Sequence, residues 1–353
     1  MWTMIADART DTEREWCHET LDGTSRTFAI TVDLLEEPMA TQICVSYLLC
    51  RVADTIEDAG HIPPETQSML LRTYDRALDP DDDLDIGAFE RAIEPWLPED
   101  GGEDWRVVAN APRVVRAFEA LAPDARAAVL NPIRELVAGM ALFVERHADT
   151  EGLRIETVAE LEEYCWYAAG TVGTLVTNLL ARDAAPERVS ELRETDRAFS
   201  LLLQLVNVAK DVSDDYRAEN NVYLPAAWLR EEGVEPEGVC EPENTTAVAG
   251  VIRRVAGRAG VYADDARRYL DAAPETNGNT LAAWAVPYLL ALGTLRELDA
   301  RAEDVLREGG VKIPRAEVLA IVGQFAGESN RPSLEELATD VAQQPYHRVA
   351  NDT

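Results

Sequence analysis

Ile43-Cys-Val-Ser-Tyr47-Leu-Leu-Cys-Arg51-Val-Ala-Asp54-Thr-Ile-Glu57-Asp58 is the stretch on which the reading of the fold turns. Its first part is apolar at most positions, shows no period-2 alternation, and runs into acid. Asp54, Glu57 and Asp58 stand at i, i+3 and i+4, so a helix puts the three carboxylates on one face. Like charges at that spacing repel, and the arrangement costs stability unless a cation is held there. Hard oxygen donors of this kind suit Mg²⁺, which keeps part of its water shell and bridges to substrate phosphates.

A second cluster repeats the pattern. Asn207-Val-Ala-Lys210-Asp211-Val-Ser-Asp214-Asp215 places Asn207, Asp211 and Asp215 at i, i+4 and i+8. Residues 199–208 ahead of it are largely apolar, and Gln204 lies about one turn above Asn207. In so acidic a chain a lone triplet of this sort is usually a solvated face. Two of them, each closing an apolar helix and roughly 150 residues apart, are much less readily accidental. Two such faces holding Mg²⁺ supply the positive charge that a departing diphosphate needs.

Outward from these clusters the periodicity stays helical. It predicts an apolar helical pair over 25–58 broken near Glu37-Pro38, and an amphipathic helix over 64–78. A Pro/Gly/Asp-rich connection over 79–105 follows, with one short helix at 86–95. Further helices are predicted over 113–121, 123–147, 157–182, 187–217, 245–272, 278–306 and 314–325, and a last one from Ser333. The expected fold is all-α, one helical bundle with a central cavity, and the expected organisation is a single domain over residues 1–353.

Composition narrows the function classes. The chain has 353 residues, is 46% hydrophobic, and carries a net charge of −32. That charge excludes a nucleic-acid partner, which needs a basic footprint, while the hydrophobic content excludes disorder. Lysine occurs only at Lys210 and Lys312, every other basic residue being arginine. An acidic, lysine-poor globular chain is expected to be adapted to molar salt, where screening shortens to about 3 Å. Five cysteines show no metal-binding spacing, and the absence of a signal peptide leads to the expectation of a reducing cytoplasm. No run of 18 apolar residues is present, so no transmembrane segment is expected.

Taken together, Ser25-Arg26-Thr27-Phe28, Tyr47-Leu-Leu-Cys-Arg51, the D-T-I-E-D run from Asp54, Tyr164-Cys-Trp-Tyr-Ala-Ala-Gly170-Thr-Val-Gly173 and the second acidic cluster resemble the trans-isoprenyl head-to-head synthases, the squalene/phytoene synthase family. The resemblance implies an isoprenoid-synthase fold and small-molecule prenyl diphosphate substrates. It implies that Asp54, Asp58, Asp211 and Asp215, with Glu57 and Asn207 beside them, bind diphosphate through Mg²⁺. It implies substrate contacts from Ser25, Arg26, Phe28, Tyr47, Arg51, Gln204, Asn207, Lys210 and Arg217, and a place beside the carbocation for Tyr164. On the residues alone, Tyr164, Trp166 and Tyr167 read equally as core aromatics, and Gly170 and Gly173 as tight helix packing or as a groove for a prenyl chain.

Within the family the markers divide. Tyr223-Leu-Pro225 resembles the ending found in phytoene-forming members, and Asn220 stands where an arginine often follows the second motif. D-T-I-E-D, Trp284-Ala-Val-Pro287-Tyr-Leu-Leu and Gly310-Val-Lys312-Ile-Pro-Arg315 resemble the squalene-forming branch. That branch implies NADPH (or NADH) as reductant, with Lys312 and Arg315 at its phosphates, and leaves room for peripheral membrane contact as product departs.

Overall fold

A computed structural model describes residues 2–150, 152–182, 184–307, 310–325 and 332–349; the side chains of 2–11, 26, 27 and 349 lie outside the described residues. The described residues are helical with short connections and form no strand beyond an isolated parallel bridge, Arg154 to Val222. The all-α expectation is met. The chain divides into two compact units: Met1–Asp149, Thr171–Ala184 and Pro274–Thr280 make the first, and Thr150–Gly170, Ala185–Ala273 and Leu281–Thr353 the second.

Unit 1 is built around the Met39–Glu57 helix, with Trp2–Thr24, Pro64–Leu78, Gly102–Ala109, Ala111–Glu119 and Pro123–Arg146 packed against it. Sixteen of its nineteen residues are buried. The remaining three are Tyr47, Arg51 and Asp54, at i, i+4 and i+7, so the helix opens along one stripe only. Pro64–Leu78 matches its predicted bounds, with Gln67, Ser68, Leu70, Leu71, Tyr74 and Leu78 on its buried face. Trp2–Thr24 and Gly102–Ala109 were not predicted; the second occupies the end of the Pro/Gly-rich connection.

By length and composition Pro123–Arg146 could cross a membrane, although it holds no unbroken run of 18 apolar residues. More than half of its most apolar window is buried inside the protein, against Pro64–Leu78, Met39–Glu57 and Thr171–Ala181. That is how a core helix behaves.

Unit 2 is organised by the 34-residue Pro186–Glu219 helix, against which Thr245–Gly260, Ala263–Ala272 and Leu281–Arg301 pack. The single predicted helix over 245–272 is two helices, parted by a turn at Val261 and Tyr262 with Val261 66% exposed. The predicted 157–182 helix is also interrupted. Val158–Cys165 gives way to a π-helical turn, Trp166–Gly170, before Thr171–Ala181. Such turns collect at functional positions. A Cβ on Gly170 would lie 2.3 Å from Cε3 of Trp166, so this glycine serves close packing of the indole. Leu334–Gln343 begins at Ser333 in a capping box with Glu336, worth about 1 kcal/mol.

Candidate active site

The open stripe of the Met39–Glu57 helix gathers most of the first predicted residue set. Phe28 stacks on Tyr47 with ring centroids 4.3 Å apart and planes at 19°. Ser25 caps the Arg26–Asp33 helix by accepting from the Phe28 N–H at 3.3 Å, and with Thr24 it hydrogen-bonds the Tyr47 phenol. Arg51 reaches both Asp54, in a very short ion pair, and Asp104, whose Oδ1 is 2.8 Å from Nε. The side chain of Arg26 lies outside the described residues.

Asp54 is raised above the ordinary aspartate range, chiefly by burial; Arg51 opposes the shift and Asp104 adds to it. Its side chain keeps 34% exposure, enough for a cation to reach it. Asp58 is the C-cap of the same helix and half-buried, whereas Glu57 is only 6% exposed. The three acids therefore share a helix end but not one degree of access. Gln67, itself 6% exposed, donates from its side-chain nitrogen to the carbonyls of Ile56 and Glu57 at 2.8 Å and of Ala59 at 3.3 Å. It ties down the carbonyls that the helix end leaves unpaired, where the carboxylates sit.

In unit 2 one continuous helix carries Gln204, Asn207, Lys210, Asp211, Asp214, Asp215 and Arg217. Asn207, Asp214 and Arg217 are exposed, Gln204 half-buried, and Lys210 pairs closely with Asp211. Asp215 is pushed up to about 8, first by burial, then by Asp211 and Glu219, with Lys210 opposing and Asp214 adding. Tyr164, 6% exposed, stacks on Tyr223 at 4.8 Å in the adjoining structure. Lys312 and Arg315 are both exposed, and the Lys312 carbonyl accepts from Arg301 at 3.0 Å.

Sequence reasoning missed Asp104, Gln67, Asn221 and the use of Tyr223. For Gln67 a signal existed: it stands in the 67, 70, 71, 74, 78 stripe of an amphipathic helix, where a polar side chain needs a buried partner. For Asp104, 53 residues from its partner and in a stretch whose Pro/Gly/Asp content predicts a connection rather than the helix Gly102–Ala109, no signal was present.

The raised Asp215 gives a testable pH dependence. Its folded value lies above the unfolded one near 3.9, so its charge burdens the fold progressively from about pH 4 to pH 8 and fully above. Asp215→Asn in chelator should melt higher than the parent by more than about 1 kcal/mol at pH 9, after discounting for partial exposure. The gap should shrink toward pH 5. A melting difference that stays constant from pH 5 to pH 9 would discard this account.

Each unit thus carries a helix that ends in acid, with basic and aromatic side chains beside it. The Squalene/phytoene synthase family pattern matches residues 21–317, and the chain belongs to that family. It is 23% identical over 310 residues to the squalene synthase of Schizosaccharomyces pombe, covering 87% of this chain and 64% of that one. The human squalene synthase is 25% identical over 336 residues, covering 94% and 74%. The chain thus spans about two-thirds to three-quarters of the length of these relatives. A solved TcSQS complex with the ligand E5700 superposes with a TM-score of 0.74 at 20% identity, covering 94% of this chain and 98% of the other, which shows the fold.

Proposed function

We propose that this chain joins two farnesyl diphosphates head to head, through presqualene diphosphate, and reduces the product with NADPH or NADH to squalene. The observation that carries the reading is the stripe of Tyr47, Arg51 and Asp54, the only positions left unburied on an otherwise buried helix. A stripe of phenol, guanidinium and carboxylate suits a metal-bound diphosphate. The similarity to chains named squalene synthase supports the same reading.

Asp54 and Asp58 on one motif, and Asn207, Asp211 and Asp215 on the other, would hold Mg²⁺. The donor chemistry fits, because Asp54 and Asp215 both carry charge that burial disfavours and that a dication would stabilise. When bound, Mg²⁺ would neutralise charge on the leaving diphosphate. Arg51, Arg26 and Lys210 would add fixed positive charge at phosphate oxygens, with Tyr47 and Ser25 donating hydrogen bonds. In the first step one allylic C–O bond to diphosphate breaks and the second substrate's double bond attacks the cation. A C–C bond forms, and one proton is lost as the cyclopropane closes. Tyr164 would face the cation and assist that proton's departure, and apolar walls would exclude quenching water.

Lys312 and Arg315 would hold the phosphates of the nicotinamide cofactor, which supplies hydride in the second step. They fit as exposed cations in a strongly acidic chain, on a segment tethered through Arg301 to Glu297. Lys312→Ala should spare the condensation and slow the reduction about tenfold to a hundredfold, so presqualene diphosphate accumulates at limiting NADPH. Chromatography of both products over time reads this. Proportional loss of both products would place Lys312 outside the cofactor site.

The proposal includes a salt-adapted cytoplasmic enzyme that meets membrane only at its surface. A second reading, a phytoene- or dehydrosqualene-type synthase without the hydride step, is favoured by Tyr223-Leu-Pro225 alone. Incubation with labelled farnesyl diphosphate in multimolar KCl, with and without NADPH, separates the two. Squalene formed only with NADPH supports the first, and an NADPH-indifferent product the second.

A further inference from the structure

Tyr164 is held through two further side chains and one backbone segment. Its phenol donates to the Tyr223 oxygen at 3.2 Å, and the two rings stack at 29°. The same Tyr223 oxygen accepts from Nδ2 of Asn221 at 3.2 Å, and Oδ1 of Asn221 accepts from the Leu153 N–H at 2.8 Å. A backbone N–H can only donate, so the amide is oriented with its oxygen toward Leu153 and its NH₂ toward Tyr223. Tyr164, Tyr223, Asn221 and Leu153 are all under 10% exposed.

The backbone beneath this chain of bonds is equally constrained. Val222 N–H donates to Leu153 O at 2.9 Å and Ile155 N–H to Val222 O at 3.2 Å. This pairing ties the segment leading into the Tyr164 helix to the segment leaving the second acidic helix. The close approach depends on Gly152, at φ +84°, where a Cβ would lie 2.2 Å from the Asn220 carbonyl oxygen. Asn220 ends the acidic helix in the left-handed conformation, at φ 58°, and Arg154 binds its side-chain oxygen at 3.0 Å. The Asn221 N–H then returns to the Asp215 carbonyl at 3.2 Å. From the Asp215 carbonyl to the Tyr164 phenol the path therefore runs through Asn221 and Tyr223, both buried.

We infer that Tyr223 and Asn221 are positioning residues that fix the Tyr164 phenol from the end of the second acidic helix. The inference rests on the proposed role of Tyr164 beside the cation. Tyr223 shares its oxygen between the phenol and the amide, so loss of that oxygen breaks the link from the Tyr164 hydroxyl to Asn221 while the stacked ring remains. The ring alone cannot set the direction of the hydroxyl.

Tyr223→Phe is the test, with steady-state kinetics of presqualene diphosphate formation. It should lower kcat about tenfold with KM within about twofold, the loss of one buried hydrogen bond. Tyr164→Phe should lower kcat further. The double variant should be no slower than Tyr164→Phe within about twofold, because Tyr223 acts only through the phenol. Parent-like kcat in Tyr223→Phe, or losses that multiply in the double variant, would overturn the inference. So would a fall in kcat matched by a rise in KM and a lower melting temperature, which marks a structural role. If Tyr164→Phe itself is parent-like, the reading of Tyr164 fails, and a slowed Tyr223→Phe in that background would refute the positioning role separately.

Discussion

Asp54→Asn and Asp211→Asn should each lose diphosphate release by about a hundredfold to a thousandfold or more while melting no lower than the parent. The pairing of those two outcomes is what makes the expectation specific. Asp54 sits beside Asp104 at the end of a helix whose other surfaces are buried, and burial already disfavours its charge. A carboxylate with a raised folded pKa burdens the fold above its unfolded value near 3.9, so a neutral isostere relieves the protein at pH 7. Arg51 keeps Asp104 as a partner when Asp54 is neutral, which prevents the usual penalty of a stranded guanidinium. On the second helix, Asp211→Asn removes a charge that helps push Asp215 up, at the cost of the contact with Lys210. That contact is partly exposed and worth about 1 kcal/mol or less. Pyrophosphate release and thermal melting in the same buffers read both halves. Near-parent release in either variant would end the two-motif reading of metal binding, and a fall in melting temperature of many degrees would show that the carboxylates are structural.

The acidic faces were legible because they rest on local spacing, which a helix converts directly into shared direction. So was the all-helical fold, whose periodicity over 64–78 and 123–147 reproduces Pro64–Leu78 and Pro123–Arg146 nearly to the residue. Interruptions were less legible. Nothing in Trp166 to Gly170 announces a π turn, and the Trp166 ring that lies on Gly170 there shows only in the packing. Trp2–Thr24 was hidden by its weak amphipathic pattern. Partners distant in sequence were not legible at all: Arg51 finds Asp104, and Asn221 finds Leu153, through packing that no spacing encodes. Exposure was also beyond the pattern. Asp54, Glu57 and Asp58 look alike on a helical wheel, yet Glu57 is buried where Asp54 is open.

The C-terminal part of unit 2 should fail through a single acid. Glu317 is fully buried and receives both arms of Arg296, each at 2.9 Å, as well as the Tyr346 N–H at 3.0 Å. It therefore joins three helices, Leu281–Arg301, Arg315–Gly323 and Tyr346–Val349, at one carboxylate. Glu317→Ala removes the acceptor for a half-buried guanidinium and a buried amide together. Such a loss costs about 3–5 kcal/mol. Glu297 still faces Arg296 at 2.9 Å, which moderates the damage but leaves the Tyr346 amide unsatisfied. At about 2–4 °C per kcal/mol for a chain of this size class, the melting temperature should fall by roughly 5–15 °C. Because the Glu317 carboxylate is sealed from solvent, multimolar KCl should not restore the variant, although salt should raise the melting of the parent and the variant alike. Replacing both partners by apolar groups, Arg296→Met with Glu317→Leu, should recover most of the loss, since a buried ion pair is often no more stabilising than well-packed hydrocarbon. Parent-like melting in Glu317→Ala would show that the ion pair is not closed in solution. Full rescue of that variant by salt would show that water reaches it.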